Sequence, residues 1–95
     1  MNLYEVLYIL KPELDEETTS TTIEKFSTLI NNNGGEVVSV DKWGKRRLAY
    51  EIDDRREGIY TLVNFNGVGA TAKELERVFK ITDGVLRYLI TRKED

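Results

Sequence analysis

The sequence predicts an α+β fold of order β-α-β-β-α-β, with a four-stranded antiparallel sheet and two helices on one face. Three observations carry this. Four runs rich in aliphatic, aromatic and β-branched residues have strand character. Two stretches between them space apolar residues as a helix does. The two β-α-β crossovers, each expected to be right-handed, place both helices on the same side of the sheet.

Leu3 to Leu10 (LYEVLYIL) is the first strand, stopped at Lys11-Pro12 because proline cannot donate to a ladder. Asp15 suits the N-cap of the first helix, with Glu16 and Glu17 favoured in its first turn by the helix dipole. Ile23, Phe26 and Ile30, with Leu29 beside them, form its apolar stripe. The run Thr18-Thr19-Ser20-Thr21-Thr22 has poor helix propensity, so this helix depends on packing. Asn31-Asn32-Asn33-Gly34-Gly35 ends it, with a glycine suited to the left-handed C′ position.

Glu36 to Asp41 is a second strand, and Arg47 to Ile52 continues it past Gly44, where a glycine inside a strand pattern suggests a bulge. Asp53 to Gly58 is a charged turn, and Ile59 to Phe65 is a third strand joined as a hairpin. Asn66-Gly67-Val68-Gly69 is a loop. Thr71 and Glu74 have the spacing of a capping box, and Leu75, Val78, Phe79 and Thr82 mark the inner face of the helix that follows. Asp83-Gly84 ends that helix, and Val85 to Thr91 is the fourth strand. The whole of 1–95 is expected to be one ferredoxin-like domain (a split βαβ), with 92–95 as a frayed tail.

The chain has no cysteine and no histidine. Disulfides, Cys/His zinc sites, catalytic triads and imidazole bases are therefore excluded. Neither a cofactor nor a small-molecule substrate is expected. The start, Met1-Asn2-Leu3-Tyr4-Glu5, lacks the basic region of a secretory signal, and the longest apolar run, Val6 to Leu10, is far short of a membrane helix. A cytoplasmic protein is expected.

The net charge of −3 conceals an asymmetry. Residues 1–41 carry two basic and eight acidic groups, a net −6, whereas 42–95 carry twelve and nine, a net +3. Lys42-Trp43-Gly44-Lys45-Arg46-Arg47 holds four cations and no anion. Beside a tryptophan, on a bent strand near a sheet edge, Lys42, Lys45, Arg46 and Arg47 suit phosphate contacts with a planar stacking group at hand. Charged edges also discourage aggregation, but two charges would suffice for that.

Strand parity adds a second surface. With both helices on one side, the other sheet face should be polar unless something covers it. Glu5 and Arg87 mark that open face, yet Leu7, Ile9 and Leu89 share it, and Tyr60 and Leu62 point the same way from the third strand. An apolar patch edged by charge is a docking surface, and Trp43 belongs to it if it meets protein rather than RNA.

Enzyme readings fail at particular residues. Asp15-Glu16-Glu17 and Asp53-Asp54 are explained by capping and turn solvation. Acylphosphatases share the fold and hold phosphate in a glycine-arginine loop after the first strand, where this chain has the acidic, glycine-free Lys11-Pro12-Glu13-Leu14-Asp15. Base stacking of the RNA-recognition-motif kind needs a basic start and aromatics at the stacking positions; Glu57-Gly58-Ile59-Tyr60-Thr61 has the wrong charge and no aromatics at those positions.

Gly44-Lys45-Arg46-Arg47-Leu48-Ala49-Tyr50-Glu51-Ile52 resembles the signature stretch of the bacterial small-subunit ribosomal protein six family. Tyr4-Glu5-Val6 with Lys11-Pro12, and Ile81-Thr82-Asp83-Gly84-Val85-Leu86-Arg87, resemble it too, so the likeness runs essentially end to end. It implies a ferredoxin-like fold, no enzymatic activity, and a structural role in the small ribosomal subunit. It further implies binding of small-subunit (16S) ribosomal RNA as a heterodimer with the eighteenth small-subunit ribosomal protein. RNA contact would fall to Arg87 and Arg92, to the region of Asn2 and Leu3, and to the stretch Lys42 to Arg47. The partner protein would cover Leu7, Ile9, Trp43, Tyr60, Leu62 and Leu89. A chain this acidic should bind RNA poorly alone and be a monomer when isolated. The competing expectation is a protein-only module that pairs two copies through the open sheet face.

Overall fold

The computed structural model describes residues 1–93. Its elements are β1 (Asn2–Leu10), α1 (Glu16–Asn32), β2 (Glu36–Ile52), β3 (Arg55–Gly67), α2 (Gly69–Ile81) and β4 (Val85–Arg92). The sheet order is β2-β3-β1-β4, with every neighbouring pair antiparallel. This is the ferredoxin-like order, and it leaves β2 and β4 as the two edges.

Alternation along the central strands sorts their side chains. Tyr4, Val6, Tyr8 and Leu10 of β1 and Thr61, Val63 and Phe65 of β3 are buried on the helix side. Ile23, Phe26 and Ile30 of α1 and Leu75, Val78 and Phe79 of α2 close over them. The centre is aromatic: Phe26 lies 5.1 Å from Tyr8 and 4.6 Å from Phe79 by ring centroids, in the edge and tilted arrangements that such pairs favour. Packing of this kind offsets the weak propensity of the Thr-rich first turns of α1.

The helix ends are built as their residues require. Asp15 caps α1, its carboxylate accepting from the Thr18 N–H at 2.7 Å. Gly34, at φ +80°, takes the left-handed position after the C-cap Asn33. Thr71 departs from expectation. It is the third residue of α2 rather than its N-cap, which is Val68. Its buried hydroxyl donates to the Asn33 carbonyl at 2.7 Å and accepts from the Val68 N–H at 3.3 Å, so it ties the start of α2 to the end of α1. Glu74 pairs with Arg77 instead of reaching back to a cap.

The charged turn before β3 is also shorter than expected. Only Asp53 and Asp54 form it, at φ 50° and 63°, a two-residue turn of the primed kind that matches strand twist. A bulge where β1 meets β4 returns Val85 to the helix side opposite Leu10, so the simple parity of the fourth strand fails at its first two residues. Arg92 and Lys93, expected to begin a frayed tail, are tied to β1. Arg92 belongs to β4, and the Lys93 N–H donates to the Leu3 carbonyl at 2.8 Å. Residues 94 and 95 of that tail lie outside the described residues.

Candidate nucleic-acid interface

β2 carries the basic stretch, and its register on β3 decides where each charge points. Lys42 stands opposite Thr61 and Gly44 opposite Tyr60, so β2 spends two residues where β3 spends one. This is a bulge, and Gly44 holds its left-handed conformation at φ +79°. Directly paired residues share a sheet face. Lys42 (opposite Thr61), Lys45 (opposite Ile59) and Arg47 (opposite Glu57) therefore lie on the helix side. Arg46, opposite Gly58, lies on the open side. Trp43, the extra residue, also turns to the open side and stacks on Tyr60, with ring centroids 6.1 Å apart and planes 10° from parallel. Its indole N–H donates to Asp41 at 3.0 Å, and the Arg46 guanidinium donates to the Trp43 carbonyl at 3.2 Å.

The other predicted cations lie on β4, at the opposite edge of the sheet. Arg87 faces the open side across from Ile9, whereas Arg92 pairs with Tyr4 on the helix side and donates to the Asn2 side chain at 3.1 Å. The six candidate RNA contacts thus form two groups separated by the width of the sheet, about 14 Å for three strand spacings. What unites them is freedom from pairing. Lys11, Arg55, Arg56, Arg77, Lys80 and Lys93 are held in ion pairs, while Lys42, Lys45, Arg46, Arg47, Arg87 and Arg92 have none among the described residues.

The open face carries the apolar groups that parity left there. Leu7 stands between Leu62 of β3 and Leu89 of β4, and Leu89 is 64% exposed. Ile9 is a correction: at 7% exposed it has almost no surface to offer a partner. Its own chain covers it. Between Arg47 and Ile52 the strand leaves the regular ladder on β3, and its buried Leu48 folds back over the face where Ile9 and Gly58 meet. Tyr50 follows, with the Arg87 guanidinium 5.4 Å above its ring, a cation–π contact. Leu7, Leu48, Tyr50, Tyr60 and Leu89 then border an apolar groove of about 220 Å³. Sequence reasoning missed Leu48 and Tyr50, although the alternation of Leu48, Tyr50 and Ile52 with Ala49 and Glu51 was the signal that these apolar side chains share one face.

A second groove, of about 400 Å³, runs on the other side of β2 between that strand and the first turns of α1. Lys42, Gly44 and Lys45 form one wall and Glu16, Thr19 and Ser20 the other. Among the described residues there is no cluster of acidic side chains suited to a metal ion, and no helix is long and apolar enough to cross a membrane.

The family described as Ribosomal protein S6 matches residues 3–92. The chain belongs to the ribosomal protein S6 family. It is similar to the small ribosomal subunit protein bS6 of Desulfitobacterium hafniense, at 57% identity over the full length of both chains. To the bS6 of Moorella thermoacetica it is 54% identical, over all of this chain and 97% of that one. The crystal structure of 30S ribosomal protein S6 from Thermotoga maritima has the same fold, with a TM-score of 0.93 at 30% identity over 97% of this chain and 87% of that one. As an S6 family member the chain is a cytoplasmic, structural constituent of the small ribosomal subunit and not an enzyme.

Proposed function

We propose that this chain binds small-subunit (16S) ribosomal RNA as a heterodimer with the eighteenth small-subunit ribosomal protein, and so supports subunit assembly. The observation that carries this is the division of surface just described. Unpaired cations occupy both sheet edges, and an apolar patch of Leu7, Trp43, Tyr60, Leu62 and Leu89 lies on the open face between them. The cations neutralise phosphates and release counterions, while the apolar patch holds the protein partner. Six candidate cations divided between two edges make few phosphate contacts, so the chain alone binds RNA weakly and the partner must supply the rest. Contacts of this kind read the shape of folded RNA more than its base sequence.

Titration of the central-domain RNA with the chain alone and with its partner tests this. The pair should bind far more tightly and with a steeper salt dependence; equal affinities overturn the heterodimer. Replacing Arg46 and Arg47 by Ala should leave the fold intact and impair assembly, since among the described residues neither guanidinium holds a salt bridge. Sedimentation of the pure chain should show a monomer; a stable homodimer through the open face would replace this proposal with self-pairing.

A further inference from the structure

The groove between β2 and α1 has a feature that an ordinary strand could not provide. Lys42 and Lys45 are three residues apart, and in a regular strand an odd separation sends two side chains to opposite faces. The bulge at Lys42–Gly44 inserts one residue and restores the phase, so both lysines stand on the helix side, opposite Thr61 and Ile59. There they meet Thr19 and Ser20 of α1 across a groove of about 400 Å³. Glu16 also lines it, yet neither lysine is engaged by a carboxylate among the described residues. Both lysines are exposed, as are Glu16 and Ser20.

We infer that this groove is a seat for the RNA phosphodiester backbone, distinct from the open sheet face that receives the protein partner. The two lysines supply paired positive charge on one wall. The Thr19 and Ser20 side chains line the other; the Thr19 hydroxyl proton is already given to the Asp15 carbonyl, while the Ser20 hydroxyl, which has no partner among the described residues, is the donor available to a phosphate oxygen. A phosphate is the matching class of ligand, because lysine neutralises it as a point charge and hydroxyls hydrogen-bond its oxygens without base selectivity. The bulge then lets one strand serve two ligands. Its Lys42–Lys45 side takes RNA, and its Trp43 side, stacked on Tyr60, takes protein. The inference rests on the RNA-binding function proposed above and assigns a specific groove to it.

The test uses the complex of this chain, its protein partner and central-domain ribosomal RNA. Lys42→Ala with Lys45→Ala should flatten the dependence of log affinity on log salt by about 1.4 to 2 units and weaken binding on the order of tenfold near physiological salt. Because the chain contains no cysteine, single cysteines can be placed for tethered hydroxyl-radical cleavage. Ser20→Cys in the groove should cut the RNA, and Glu76→Cys on α2 should not. Normal affinity and salt slope for the double lysine variant, with weakened binding by the Arg46→Ala, Arg47→Ala variant, would overturn the groove and leave RNA binding standing. Cleavage from Glu76→Cys equal to that from Ser20→Cys would also overturn it. If both double variants bind RNA normally, the groove is overturned; if the unaltered chain adds nothing to the partner's own RNA affinity, the RNA-binding function itself fails.

Discussion

Gly44→Ala tests the feature on which the arrangement of β2 depends, and its size follows from the structure. A Cβ built at Gly44 meets no atom within 4 Å, so crowding contributes nothing. The cost is conformational. Residue 44 sits at φ +79°, where an L-residue is disfavoured by about 1–2 kcal/mol. Alanine also restricts the unfolded chain, which returns about 0.4–1 kcal/mol to the folded state. The expected net loss is therefore about 0–1.6 kcal/mol, centred on ~0.8 kcal/mol, read as a lower urea midpoint with an unchanged slope. Asparagine tolerates the left-handed region better, so Gly44→Asn should recover part of the loss. Gly58→Ala makes the contrast. Its φ is ordinary, but its Cβ would run into the Ile9 side chain beneath Leu48, with the Leu10 carbonyl 3.4 Å away. Overpacking of that kind costs about 1–3 kcal/mol, outweighing the same entropic return. If Gly44→Ala is as stable as the parent while Lys42 and Lys45 keep their RNA contacts, the left-handed bulge is not what aligns the two lysines.

Three further outcomes follow from the packing and the ion pairs. Phe26→Ala should cost about 3–5 kcal/mol in urea unfolding, because the ring is 1% exposed and wedged between Tyr8 and Phe79. Tyr8→Phe should leave stability unchanged or raise it by up to about 1 kcal/mol, since the buried phenol completes no well-formed hydrogen bond. Burial lifts that phenol well above the usual tyrosine range, with the Thr61 hydroxyl countering only part of the rise, so it stays neutral throughout the accessible pH range. Glu13 behaves in the opposite sense. Hydrogen bonds from the Arg55 guanidinium, aided by a backbone hydrogen bond, hold its carboxyl at about 2. Its contribution is therefore complete above the ordinary carboxylate range and lost as pH falls from about 4.5 through about 2. Glu13→Gln should make the acid side of the stability profile less steep, and an identical profile would show that the pair is not formed in solution.

Local chemistry made much of this fold legible in the sequence. The N-cap at Asp15, the glycine after Asn33, and the alternation of Tyr4, Val6 and Tyr8 each depend on residues close in the chain, and each appears where its pattern places it. The departures share one cause, a partner distant in sequence. Thr71 carries an N-cap signature, but the Asn33 carbonyl at the end of α1 claims its hydroxyl and the helix starts three residues earlier. Val85 faces the core because a bulge against β1 shifts its phase, which no pattern within the fourth strand reveals. Ile9 faces the open side, as strand parity predicts, yet is buried there, because Leu48 reaches it only after the strand has left its ladder. The glycine at 44 announced a bulge; its effect on Lys42 and Lys45 needs the pairing with β3.

The overall acidity of the chain and its affinity for RNA are compatible because charge acts locally. At physiological salt a charge is felt over about 8 Å, so Asp53 and Asp54 at the hairpin tip and the anions along α2 do little to the field at Lys42 and Lys45. Many of the chain's anions are already committed: Glu13 of the β1–α1 connection to Arg55, Glu51 to Arg56, Glu74 to Arg77 and Glu76 to Lys80. Those pairs remove cations as well as anions from the reckoning, and they remove them from the helices and the hairpin tip. Four cations within six residues of β2 remain unpaired among the described residues, with Asp41 occupied by the Trp43 indole. A sheet edge so provided can hold a polyanion while the remainder of the surface repels it. Under the function proposed above, RNA keeps to the edges and the apolar open face is left for protein.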